Sequence, residues 1–214
     1  MKALILDMDG LMIDSERLYF DAEKEMARKY GKKVEDATLW RMMGHKPIES
    51  MAIFVQELKL PVDAEKLLAE RSEIMRQKFR DDLHPMPGLF PLIDTFYNKM
   101  KLSVATGAQR EFLDIVVDRL GIREKFNVLQ ASDEIRNGKP DPEIYLVTCE
   151  KLKRIPRDCI VLEDSENGVL AGYRAGCYVI AVPSEYTKKQ DFRSADFMAL
   201  DLFDAARHIH TFRP

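Results

Sequence analysis

Cysteine is scarce in this chain. Cys149, Cys159 and Cys177 are the only three in 214 residues, and none belongs to a CxxC pair or has a histidine neighbour. That spacing excludes a zinc knuckle and an even disulfide framework, and it fits a reducing cytoplasm. Long apolar runs are missing as well. The opening Met1-Lys2-Ala3-Leu4-Ile5-Leu6-Asp7 is too short for the core of a signal peptide and is interrupted by an acid, and no later run approaches the ~20 residues of a membrane-spanning helix. An excess of one charge is also absent: 36 acidic residues face 33 basic ones, for a net −3. With these spread along the chain, no basic stripe suits a phosphate backbone. A soluble cytoplasmic monomer is expected, with neither nucleic acid nor membrane as a partner.

What is present suits a globular α/β protein. With 46% hydrophobic and 32% charged residues, the chain can bury a sizeable core and has room for a core domain with a smaller companion. Short apolar runs at Ala3 to Leu6, Leu102 to Ala105, Cys159 to Leu162 and Tyr178 to Val182 alternate with helical stretches, and weaker runs occur at Asn127 to Gln130 and Phe197 to Leu200. Runs of this kind suit strands buried on both faces of a parallel sheet. Residues 16–83 differ: they carry helical periodicity, as in Leu18, Ala22, Met26 and Tyr30, but no convincing buried strand. The expected organisation is a Rossmann-like core from residues 1–15 and 84–214 with a small all-helical domain, 16–83, inserted. His84-Pro85-Met86-Pro87-Gly88 interrupts helix on the return to the core and would suit a hinge.

Four elements carry candidate chemistry. Asp7-Met8-Asp9-Gly10 follows the first apolar run, which puts two carboxylates at the carboxyl end of a strand, the edge where open parallel sheets bind ligands. The same residues also make an ordinary turn, but two neighbouring acids repel unless a cation is near. Glu163-Asp164-Ser165 repeats the strand-then-acid pattern. Asp164 or Ser165 could simply cap the helix expected from about Asn167 to Ala175, yet Asp7 and Asp164 could also supply carboxylates to magnesium. Ala105-Thr106-Gly107 ends another strand with a hydroxyl and backbone N–H groups that could face an anion. Gly138-Lys139-Pro140-Asp141-Pro142 restrains a lysine between a glycine and prolines, and a fixed ammonium is a counter-charge for a transferring phosphoryl group. Together they supply a nucleophile, a proton donor, a metal site and a positive charge.

In these motifs, with Asp14-Ser15-Glu16 and the long match Glu163-Asp164-Ser165-Glu166-Asn167-Gly168-Val169, the sequence resembles the haloacid dehalogenase superfamily. Its resemblance is to the beta-phosphoglucomutase-like phosphatases and mutases, and Glu16-Arg17-Leu18-Tyr19 and Met42-Met43-Gly44-His45-Lys46 look like the pseudouridine-5'-phosphatase type. The resemblance implies that Asp7 attacks phosphorus to form an aspartyl phosphate while Asp9 acts as acid and then base. It implies that Thr106 and Lys139 hold phosphoryl oxygens, and that Mg2+ sits on Asp7, the Asp9 carbonyl and Asp164, with Glu163 close by. It also makes the helical insertion a cap that selects the substrate, with Tyr19, His45, Lys46, Gly107 and Ala108 as candidate substrate-binding residues.

Hydrolysis is favoured over isomerisation. Where the sugar phosphomutases carry a cap histidine this chain has Tyr19, where they carry an arginine it has Pro47, and their serine and lysine correspond to Ala108 and Gln109. A mutase must grip a second phosphate with fixed donors. The expected activity is Mg-dependent hydrolysis of a small phosphate monoester, either a sugar phosphate or a nucleoside or nucleotide phosphate. A sugar phosphomutase is the alternative. A phosphorelay receiver is disfavoured, because a receiver brings its acidic pair before its phosphorylated aspartate; a binding-only relative would not keep all four elements. Trp40, Met42 and Met43 are read as packing, and His208 and His210 as surface residues.

Overall fold

The short apolar runs become a six-stranded, wholly parallel sheet. In the computed structural model, which describes residues 1–43 and 47–212, the strands are β1 (Ala3–Leu6), β2 (Lys101–Ala105), β3 (Val128–Gln130), β4 (Cys159–Glu163), β5 (Tyr178–Ala181) and β6 (Phe197–Met198). The nine α-helices among the described residues are α1 (Ser15–Lys29), α2 (Asp36–Met42), α3 (Pro47–Leu58), α4 (Ala64–Asp81), α5 (Leu89–Phe96), α6 (Arg110–Arg119), α7 (Glu143–Leu152), α8 (Glu166–Ala175) and α9 (Leu202–Ile209).

The strand order is β3-β2-β1-β4-β5-β6, the doubly wound order of a Rossmann-like sheet. Leu6 is level with Val104 on one side and with Leu162 on the other. The order reverses between β1 and β4, and that crevice is where such sheets bind ligands. All four residues of β1 are fully buried, because helices cover both faces of a parallel sheet. Burying each Leu or Ile contributes about 1.5–3 kcal/mol, which explains the unbroken apolar run.

The three cysteines that look scattered in sequence meet inside this unit. Cys149 Sγ lies 3.5 Å from Cys159 Sγ and 4.0 Å from Cys177 Sγ, and all three are free and buried. His208 is also no bland surface residue. It stacks on Phe197 with ring centroids 3.7 Å apart and shares a 2.9 Å hydrogen bond with the Tyr178 hydroxyl, whereas His210 is exposed.

The chain divides into two compact units, Met1–Asp14 with His84–Pro214, and Ser15–Leu83. The second contains α1 to α4 around an apolar centre that includes Met26, Leu39, Phe54 and Leu67. Among the described residues it buries one ion pair, Glu23 with Arg71 at 3.3 Å. Within the first unit the segments flanking the insertion run side by side. Asp14 N donates to His84 O (3.1 Å), Met86 N donates to Met12 O (2.9 Å), and Ile13 bridges Pro85 antiparallel.

Candidate active site

The carboxyl ends of β1 and β4 bring the two acidic motifs together. Asp7 directly follows β1, and its backbone N–H donates to Leu162 O at 3.0 Å, so the ladder with β4 fixes where the side chain starts. Glu163 ends β4 and Asp164 follows it. Asp7, Glu163 and Asp164 are all buried, and each offers a carboxylate oxygen within 4.8 Å of the others. Gly10 makes this approach possible. It adopts φ +76°, and a Cβ there would lie 2.2 Å from Asp164 Oδ2, so any side chain would push the β1 loop off that acid.

Lys139 reaches into this acidic cluster. Its Nζ donates to Asp7 Oδ1 at 2.5 Å, to Glu163 Oε1 at 2.6 Å and to Ala105 O at 3.2 Å. Burial works against the ammonium, but the Asp7 and Glu163 charges outweigh it and hold the proton well above the ordinary lysine range. The loop that carries Lys139 is braced from several sides. Arg174 donates to Pro140 O at 2.9 Å, and the Glu143 carboxylate accepts from the Arg136 and Asn137 backbone at 3.0 and 2.9 Å.

Burial pushes the Asp7 carboxyl up to about 8, with Lys139 opposing and Glu163 and Asp9 reinforcing the rise. Burial is the main cause, and the neighbouring acids add to it, since Asp7 and Glu163 share the one Lys139 ammonium with Asp164 buried close by. A divalent cation offsets that negative charge, and an all-oxygen donor set suits a hard ion. The residues present therefore fit such a cation.

Asp9 is half-buried beside this cluster. Thr106, fully buried at the end of β2, donates its hydroxyl to Asp9 Oδ2 at 3.3 Å and accepts from Ala108 N at 3.0 Å. Its hydroxyl therefore orients Asp9. Gly107 is exposed and Ala108 half-buried in the same turn. Ser165 is the N-cap of α8, its Oγ accepting from Gly168 N at 3.1 Å.

Tyr19 belongs to the helical unit, where it meets Phe79 edge-on at 6.3 Å and lies under the Arg71 guanidinium at 5.3 Å. Trp40 packs edge-on against Phe20. His45 and Lys46 lie outside the described residues. Three residues of the arrangement have no counterpart in the sequence reading: Tyr145, whose hydroxyl donates to Glu163 Oε1 at 3.0 Å, and Glu143 and Arg174. For Tyr145 a signal existed. A hydroxyl on an otherwise apolar helix stripe, Ile144, Tyr145, Cys149 and Leu152, needs a buried partner.

Comparison with known proteins points to one family. The family model for haloacid dehalogenase-like hydrolases matches residues 4–182. A phosphorylated carbohydrates phosphatase of Thermotoga maritima is 36% identical over 82% of this chain and 82% of its own length. A (DL)-glycerol-3-phosphatase of Arabidopsis thaliana is 34% identical over 84% of this chain and 78% of its own. Among solved structures, a putative beta-phosphoglucomutase from Thermotoga maritima superposes with a TM-score of 0.84 at 31% identity, covering all of both chains.

Proposed function

We propose that this chain, which belongs to the haloacid dehalogenase-like hydrolases, hydrolyses a small phosphorylated carbohydrate through an aspartyl-phosphate intermediate. It is a phosphoric monoester hydrolase. One observation supports the reading above the others: the acids that follow β1 and β4 converge on the Lys139 ammonium, 2.5 Å from Asp7 and 2.6 Å from Glu163.

In this reading Asp7 attacks phosphorus, and the bond to the leaving oxygen breaks as Asp9 gives that oxygen its proton. Asp9, oriented by Thr106, then takes a proton from water, which attacks the phosphoaspartate and releases phosphate. Dividing the displacement in two lowers each barrier, and one carboxyl serves as acid and then base. Lys139 offsets the charge that grows on the phosphoryl oxygens. Asp7, Asp164 and the Asp9 carbonyl, with Glu163 beside them, would hold Mg2+. When bound, such a cation would keep Asp7 ionised and polarise the phosphoryl group.

The substrate class rests on relatives described as phosphatases of phosphorylated carbohydrates and glycerol 3-phosphate. Tyr19, Pro47, Ala108 and Gln109 stand where a mutase needs donors for a second phosphate, so hydrolysis is the reading adopted. The helical unit would serve as the cap, with Tyr19, His45 and Lys46 choosing among esters and Gly107 and Ala108 meeting the phosphate. A cytoplasmic monomer completes the reading; no described helix is long and apolar enough to cross a membrane.

The test measures phosphate release from sugar, glycerol, nucleoside and nucleotide phosphates with magnesium, beside isomerisation of sugar 1-phosphates. Release from a sugar or glycerol ester should dominate. Isomerisation outrunning release would overturn the phosphatase reading, and release confined to nucleotides would overturn the substrate class.

A further inference from the structure

Tyr145 takes no part in the chemistry proposed above, yet it is a large, completely buried side chain that touches two members of the site. Its hydroxyl donates to Glu163 Oε1 at 3.0 Å, and its ring centroid lies 5.1 Å from Lys139 Nζ. Glu163 Oε1 also receives Lys139 at 2.6 Å, while Oε2 receives the Ser165 backbone N–H and hydroxyl, both at 2.9 Å. A carboxylate offers about four lone-pair positions, and here protein donors fill them all. Gly168 closes the remaining side, since a Cβ there would lie 1.6 Å from Glu163 Oε1. Glu163 is thus held from four directions, and it in turn holds the ammonium.

Lys139 has three hydrogens to give, and they go to Glu163, the Ala105 carbonyl and Asp7. When Asp7 attacks phosphorus, its negative charge passes to the phosphoryl oxygens, and the hydrogen pointing at Asp7 must follow. The ammonium can change that one partner without moving only if the other two are fixed. We infer that Tyr145 is a positioning residue of the transfer: its hydroxyl fixes Glu163, and Glu163 keeps Lys139 in register with the reacting phosphoryl group. This rests on the phosphatase reading.

Tyr145→Phe removes the hydroxyl and keeps the ring, its packing and its contact with Lys139. Cys149→Ala is the control, since Cys149 lies one turn further along α7 in the same apolar cluster and touches no site residue. Both are compared with the wild type and Asp7→Asn by kcat, KM, inhibition by orthovanadate and by inorganic phosphate, and melting temperature. Tyr145→Phe should lower kcat roughly ten- to a hundredfold, the usual range for a supporting hydrogen bond behind a site ligand. KM should stay within about twofold, as for an interaction that matters only in the transition state. Orthovanadate, which resembles that state, should weaken by the same factor as kcat while phosphate does not. Cys149→Ala should lose melting temperature and keep kcat.

Unchanged kcat in Tyr145→Phe, or an equal kcat loss in Cys149→Ala, would overturn the inference and leave the phosphatase reading standing. Absence of phosphate release by the wild type would overturn both.

Discussion

Lys139 Nζ lies 2.5 Å from Asp7 Oδ1 although 132 positions separate the two residues. The contact joins the loop before α7 to the end of β1 and sets a positive charge against the proposed nucleophile. Lys139→Ala should therefore lower kcat by about a hundred- to a thousandfold, the range for losing one preorganised electrostatic donor. Phosphate release, with circular dichroism to confirm the fold, measures it.

The two aspartates of the β1 loop should fail differently. Asp7→Asn should give no acid-stable phosphoryl-enzyme when the reaction is quenched with a labelled substrate, and no release above background. Asp9→Asn should slow turnover by about a hundred- to ten-thousandfold through loss of the proton shuttle. Rapid-quench labelling separates the two; full release by Asp7→Asn would rule out the covalent route.

Gly168→Ala sets two effects against each other. In a helix interior alanine is favoured over glycine by about 1 kcal/mol. The new Cβ would, however, lie 1.6 Å from Glu163 Oε1, and a clash of that size in a packed site costs about 1–3 kcal/mol. Because Glu163 is tied to Ser165, Tyr145 and Lys139 it cannot step aside without breaking those bonds, so the clash should win. A lower urea midpoint together with reduced kcat is the expected outcome; a stabilised, fully active variant would contradict it.

Glu23 in the helical unit makes stability depend on pH. Burial raises its pKa from 4.5 to about 7, with Arg71 only partly opposing. A raised folded-state pKa means that the folded chain binds the proton more tightly than the unfolded chain does. This residue's contribution therefore falls as pH rises from about 4.5 to about 7 and levels off above that. Glu23→Gln should flatten that slope in thermal melts across the window.

Chelation tests the charge balance at the catalytic end of the sheet. Asp7, Glu163 and Asp164 outnumber Lys139, and burial already pushes Asp7 up to about 8. EDTA should abolish turnover and added magnesium should restore it. Full activity in EDTA would remove the metal from the mechanism.

The sheet was readable because strands buried on both faces leave unbroken apolar runs: Ala3 to Leu6 and Cys159 to Leu162 need no partner information to be found. Asp7 and Glu163 each directly follow such a run, which put them and Asp164 at one edge of the sheet, although a turn or a helix cap would account for either motif alone. Tyr145 and Arg174 were not readable. Their roles depend on which strand neighbours which, and only the order β3-β2-β1-β4-β5-β6 brings α7 and α8 to either side of the Lys139 loop. The cysteines show the same limit, since Cys149 in α7, Cys159 at the start of β4 and Cys177 just before β5 share no local pattern and meet only in the folded core.

The paired segments at Met12 to Asp14 and His84 to Met86 give the catalytic unit a single doorway. The chain leaves and re-enters beside the same two hydrogen bonds, Asp14 N to His84 O and Met86 N to Met12 O. Helices could be lengthened, exchanged or recruited from another relative there without altering strand order, register or the acids beyond. If the helical unit chooses the ester, as proposed, substrate choice and phosphoryl chemistry could change at separate rates along one chain.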